Sequence, residues 1–459
     1  MICRVPTSEY HWQAPCRRLA FEADSAAASR RPGGGVGARL ACLLLLVAAG
    51  SLTWSANKVQ ARTEPESPAA STPADIDEHA PVPVPEPTEK AMAFYRSGMW
   101  IWGFNRLWAI ALPAALAFSG FSARLRTLAA RVGRRWFPTI GVYIALFLVI
   151  VALIELPIDY YEGFVRLHAY GLSNQTNAKW LSDMATAVGV NVVVAVLTVW
   201  VPYLLLRRSP RWWWFHTALL SVPFLFVGML VKPIWIDPLF NDFGPMKNQE
   251  LERSILNLAD RAGIESGRVF EVNKSVDTKA VNAYVTGFLG TKRIVLWDTL
   301  LNRLDEDEVL FVMAHEMGHY VLGHVVRSIL LSFIVTLIGL YFVHLAGNWL
   351  VDRFRGRLGF DRLSDVASVP LLLMLLQISN LFLSPAAMAY SRYQEHEADR
   401  FALVLTQANR AGATAFVKLQ TENLSNPRPG WVYKIFRASH PSIGERIDFC
   451  NEYRPTEPK

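Results

Sequence analysis

The sequence predicts a mainly α-helical, multi-pass membrane protein with a zincin-like catalytic domain, in which a histidine-bearing helix sits beside a small β-sheet. Three observations carry this. Of 459 residues, 52% are hydrophobic and 19% charged, with 15 Trp and 25 Phe, too apolar a balance for an ordinary soluble enzyme. A succession of apolar runs begins near residue 103, each with roughly the 20 residues a bilayer requires. The stretch Ala314-His315-Glu316-Met317-Gly318-His319-Tyr320 reads H-E-x-x-H. The net charge of +7 does not signal a nucleic-acid partner, because the arginines cluster in short loops between the apolar runs.

In chain order, residues 1–61 are a basic N-terminus. They end in an apolar run, Leu40 to Trp54, that is short for a span and suits the core of a signal peptide. Val59-Gln60-Ala61 offers a cleavage site, and a retained first helix is the alternative. Residues 62–93, rich in Pro, Glu, Ala and Ser, read as a disordered linker. Residues 94–236 form an N-terminal membrane domain with spans at about Gly103–Phe121, Pro138–Pro157, Val188–Leu206 and Trp212–Ile236. Residues 237–459 form a second domain, which carries the H-E-x-x-H stretch. Its soluble stretch, 237–325, is followed by two further spans, about 329–350 and 366–390, and a soluble tail. Within the soluble stretch, Leu251 to Ala262 is amphipathic. Val269–Val272, Ala283–Phe288 and Arg293–Trp297 alternate like strands, with Gly290-Thr291 as a hairpin turn between the last two. Cys3, Cys16, Cys42 and Cys450 make neither a disulfide framework nor a CxxC zinc signature, and Cys450 reads as inert.

On a helix, His315 and His319 share one face and can grip one zinc ion, while Glu316 stands beside the metal as general base. The acidic turn Asp305–Glu308 before the apolar residues marks the start of that helix. Catalytic zinc takes a third protein ligand. Glu395 and Asp399 are four residues apart, so Glu395 can bind zinc while Asp399 holds a ligand histidine. Spacing alone leaves a solvated charged helix equally open. The two intervening spans return the chain to the same side and favour Glu395. His324, five residues after His319, is out of line and reads as structural. His440 and Arg446 lie on the same side and could stabilise an oxyanion. An extended substrate can be held as an added strand beside the metal.

These segments resemble the integral-membrane zinc metalloendopeptidases of the CAAX prenyl protease 1 family. The resemblance rests on Asn282-Ala283-Tyr284, Lys292 to Leu301, His315 to His319, Glu395 to Asp399 and Ser439 to Ile447, with support from Tyr170 to Thr176 and Asp237 to Asn241. It spans about residues 94–450. It implies one zinc ion per chain, held by His315, His319 and Glu395, with Glu316 as base. It further implies His440 and Arg446 at the scissile carbonyl, Asn282 and Ala283 on the substrate strand, and helices enclosing a water-filled chamber. The expected function is therefore endopeptidase cleavage of a protein or peptide substrate in the bilayer, in processing or quality control, with prenyl-CAAX proteolysis as an alternative. A transporter reading, centred on Glu155, and an inactive scaffold are the competing classes.

The Lys/Arg bias of short loops sets orientation. Arg124, Arg126, Arg131, Arg134 and Arg135 lie between the first two spans, Arg207, Arg208 and Arg211 between the third and fourth, and Arg353, Arg355, Arg357 and Arg362 between the last two. These alternate loops should be cytoplasmic, which places the catalytic domain on the non-cytoplasmic side of the cell (inner) membrane.

Overall fold

Long apolar helices dominate the computed structural model, which describes residues 80–264, 268–286 and 293–454. Helix α1 (Glu89–Phe118) leads through an amphipathic helix α2 (Phe121–Gly133) into α3 (Trp136–Ala169), α4 (Asn177–Arg208) and α5 (Trp213–Leu239). Strand β1 (Phe243–Pro245), helix α6 (Gln249–Arg261) and strands β2 (Arg268–Val272), β3 (Ala283–Thr286) and β4 (Arg293–Trp297) follow. Then come α7 (Glu306–Val321), α8 (His324–Leu358), α9 (Val369–Thr406), α10 (Asn409–Glu422), α11 (Trp431–Phe436) and α12 (Ile443–Glu452). Among the described residues, six helices are long and apolar enough to cross a membrane: α1, α3, α4, α5, α8 and the helix containing α9. Trp100, Leu107, Leu153, Leu330, Trp349 and Phe382 stay exposed on them, as residues facing lipid rather than water should.

The arginine-rich connections meet at one end of the bundle. Ser122 of α2 contacts the Tyr143 hydroxyl and donates to the Ala367 carbonyl, each at 2.6 Å, and Arg126 pairs with Asp365. The Tyr203 hydroxyl of α4 lies 2.8 Å from Ser368 Oγ. The connection between α1 and α3 is thus a packed helix rather than an open loop.

At the other end sits the mixed sheet, ordered β1-β2-β4-β3. β2 and β4 run parallel, and β3 pairs antiparallel with β4, in the register Ala283 opposite Leu296. The expected turn at Gly290-Thr291 lies outside the described residues. Ile255 and Leu258 of α6, Ile294 and Leu296 of β4, Phe311 and Met317 of α7, Phe416 of α10 and Ile447 of α12 close one apolar core over the sheet. Cys450 is fully buried in it, and burial pushes its thiol pKa up, so it is unreactive.

Two features tie distant segments of the chain together. The signal peptide or first helix expected over residues 1–61, and the expected linker up to residue 79, lie outside the described residues. From residue 80 the chain is ordered, which shortens the expected linker. The Val82 N–H donates to Asn451 Oδ1 at 2.9 Å and the Asn451 amide returns a bond to the Val82 carbonyl at 2.8 Å, while Gln420 donates to the Pro85 carbonyl. Thr88 then caps α1, which begins earlier than the apolar pattern alone indicates. The second feature is a clasp around the buried Asp277. Its carboxylate accepts from Asn241 at 2.7 Å and lies 3.5 Å from Lys274 Nζ and 3.6 Å from Lys179 Nζ. Its carbonyl accepts from Ser173 Oγ and from the Asn174 N–H. The Tyr170–Thr176 turn between α3 and α4 is thereby locked to the segment that runs into β3.

Candidate metal centre

Helix α7 is built to hold its residues still. The Asp305 N–H donates to the Glu308 carboxylate at 2.8 Å, closing a capping box. Glu308 is buried and its charge is met by Lys418 of α10 at 2.7 Å. One turn from its end, Gly318 lets α9 approach closely: a Cβ there would stand 3.1 Å from the Phe401 ring and 3.3 Å from Ala398 Cα. The imidazoles of α7 therefore face Glu395 of α9.

His315 Nε2 and His319 Nε2 are 3.2 Å apart, and each lies 3.3 Å from an oxygen of the Glu395 carboxylate. A tetrahedral zinc site with bonds of about 2.0–2.2 Å separates its ligand atoms by about 3.3–3.5 Å, so the triangle fits that ion. Glu395 Oε2 is buried and has no hydrogen-bond donor, which is costly unless a cation completes it. Two neutral imidazoles and one carboxylate are also the donor set zinc favours.

The remaining residues fall into place around this triangle. Asp399, one turn beyond Glu395, lies 2.8 Å from His315 Nδ1 and orients that ring, as its spacing suggests. Glu316 projects beside the triangle toward β3 and accepts a backbone hydrogen bond from Val285; burial pushes its carboxyl above the usual range. His440 Nε2 stands 3.3 Å from Glu395 Oε1, with 55% of its side chain still open to water, so it lines an inner space rather than a packed core. Burial among protein groups nevertheless holds its imidazole below the ordinary value.

The resemblance implies Arg446 at the scissile carbonyl, and the structure pairs it with Asp399. One edge of its guanidinium is taken by Asp399, Nε at 2.8 Å and Nη2 at 2.5 Å, and its plane lies over the Phe416 ring, 4.1 Å from the centroid. It points at the carboxylate behind His315 and is buried there. His324 lies outside the triangle but touches it through His319. Helix α7 stops at Leu322, Gly323 turns the chain with φ of 68°, and the first residue of α8 swings back so that His324 Nδ1 is 2.9 Å from His319 Nδ1. His396 packs on Phe449, away from the triangle.

The last strand of the sheet borders the site. Trp297 N–H bonds to the Asn282 carbonyl, so in the antiparallel alternation the N–H and C=O of Ala283 and Val285 turn away from β4 toward the free edge. Asn282 is exposed and its side chain accepts from the Ala283 N–H.

Comparison with known proteins agrees with this geometry. Residues 245–454 match Peptidase family M48, and residues 71–242 match the CAAX prenyl protease N-terminal family of five membrane helices. An uncharacterized metalloprotease of Bacillus subtilis, YhfN, is 40% identical over 374 residues, covering 80% of this chain and 86% of the relative. CAAX prenyl protease 1 of Saccharomyces cerevisiae is 30% identical over 322 residues, covering 65% of this chain and 70% of the relative. The crystal structure of S. mikatae Ste24p superimposes with a TM-score of 0.67 at 25% identity, over 78% of this chain and 87% of that one. The transporter and scaffold readings fall with these findings. The chain belongs to peptidase family M48, as a multi-pass, chambered membrane metallopeptidase related to CAAX prenyl protease 1.

Proposed function

We propose that one zinc ion, held by His315, His319 and Glu395, serves an endopeptidase reaction on extended polypeptide chains reaching the site from the bilayer side. The observation that carries this is the 3.2–3.3 Å triangle of two imidazoles and one carboxylate. Zinc, when bound, supplies a Lewis acid that polarises a carbonyl and brings the pKa of water to about 7. The protein's groups do the rest. The free edge of β3 pairs with the substrate backbone through Ala283, with Asn282 fixing the strand end. Glu316 takes the proton of the attacking water and returns it to the leaving amine. His440 donates to the oxyanion developing on the scissile carbonyl. Asp399 holds His315, and Arg446 holds Asp399.

The site is proposed to face away from the cytoplasm. The packing of α2, the end of α4 and the 359–368 connection at the opposite end supports this, because the arginine-rich loops then share one side. Relatives named CAAX prenyl protease 1 favour a second substrate reading, cleavage of prenylated C-terminal peptides. A farnesylated CAAX peptide assayed beside its unprenylated form separates the two.

The test is zinc content and peptidase rate of the purified full chain. His315→Ala, His319→Ala and Glu395→Ala should each lose zinc. Glu316→Gln should keep it and lose at least roughly two orders of magnitude in rate, and His396→Ala should keep both. Zinc retained by Glu395→Ala but lost by His396→Ala would overturn the ligand set.

A further inference from the structure

We infer that His324 and Glu397 form a positioning relay for the second zinc ligand, the counterpart on His319 of the Asp399–Arg446 anchor on His315. The inference rests on the ligand set proposed above. His319 turns Nε2 toward the triangle, so its ring proton belongs on Nδ1. That Nδ1–H has one acceptor at 2.9 Å, His324 Nδ1. Accepting there leaves the His324 proton on Nε2, which is buried, lacks a closer partner, and stands 3.4 Å from Glu397 Oε2. Glu397 is in turn 3.3 Å from Arg327 Nη1. Each step fixes one tautomer, and the series ends on an arginine-paired carboxylate, as the shorter series behind His315 does.

The backbone is arranged for this purpose. Gly323, with its positive φ, breaks the helix between α7 and α8, and residue 324 lies against residue 319. Gln394 Nε2 donates to the His324 carbonyl at 3.1 Å, and Ser328 Oγ donates to Gln394 Oε1 at 2.9 Å, pinning the first turn of α8 to α9. Helix α9 thus supplies three carboxylates with three tasks: Glu395 to the metal, Asp399 to one histidine, Glu397 through His324 to the other. Neither His324 nor Glu397 touches the reacting atoms; both act through His319.

The experiment follows zinc loss from the full chain in detergent to a chromogenic chelator, with thermal unfolding recorded alongside. His324→Phe keeps the ring's bulk and removes the acceptor, and should release zinc roughly 10–100-fold faster than wild type, the scale for lost outer-shell partners. Glu397→Gln should give a smaller increase. His324→Asn places an amide oxygen near the Nδ1 position, restores the acceptor for His319, and should bring release back toward the wild-type rate. A merely structural His324 would not show this ordering, since Phe fills the site better than Asn. Wild-type release from His324→Phe, or His324→Asn releasing as fast as His324→Phe, overturns the relay. His319→Ala is the control: if it also retains zinc, the ligand assignment fails instead.

Discussion

Arg446 gives the sharpest test of how the site is held. Arg446→Met removes a guanidinium that is bidentate to a carboxylate 1% exposed, at 2.8 and 2.5 Å, while keeping apolar bulk over Phe416. Breaking a buried ion pair by deleting one partner costs roughly 3–5 kcal/mol, because the remaining charge stays desolvated. At about 1.4 kcal/mol per factor of ten, that is two to three and a half orders of magnitude shared between fold stability and grip on His315. The double variant Arg446→Met/Asp399→Asn removes both charges and should recover about 0.5–3 kcal/mol of the summed single losses, the range for contacting pairs. The assay is zinc affinity by competition together with thermal unfolding, for both single variants and the double. If Arg446→Met binds zinc and unfolds like wild type yet loses peptidase rate, the guanidinium acts at the scissile carbonyl and the anchor role is refuted.

Two further outcomes follow from the packing. Gly318→Val should weaken zinc binding and lower the unfolding temperature by several degrees, because even a Cβ would meet Phe401 and Ala398 at 3.1–3.3 Å and the larger side chain must part α7 from α9; unchanged metal content would show that the interface yields. Alkaline phosphatase fused after Lys459 should be active in cells, since it folds where disulfides form; an inactive fusion beside an active cytoplasmic reporter would place the tail in the cytoplasm.

What could be read from the sequence is what depends on short-range spacing. His315, Glu316 and His319 share one helix, and Glu395 with Asp399 shares another, so a period of 3.6 predicts their facing. The spans were legible from apolar length, although α9 continues well past Tyr390 because its polar end remains helical through Glu395–Asp399. Arg446 was harder, since its partner is 47 residues away and no local pattern reports which carboxylate a distant arginine will meet. The contact of His324 with His319 was not legible from a single helix extended across both residues. Gly323, a helix-ending residue, was the available signal that the phase resets there. β1 is three residues long with a glycine and a proline, and has no period to detect. The Val82–Thr88 stretch looks disordered by composition, yet its carbonyls accept from Asn451 and Gln420, partners no composition can reveal.

The clasp at Asp277 bears on how such a protein is inherited and taken apart. The family matches divide the chain into two modules, 71–242 and 245–454, as if each could be exchanged separately. In space the clasp straddles that seam. Lys179 and Gln175, with Asp183, come from one side and Asp277 with Lys274 from the other, so two acids meet two lysines in a closed, neutral set. Cutting at the seam leaves Asp277 buried without Asn241 or Lys179, and frees the run that feeds β3. The membrane module therefore helps to set the position of β3, the strand proposed to hold substrate. A peptidase module transplanted alone would carry every zinc residue and still lack the frame that aims a peptide at them.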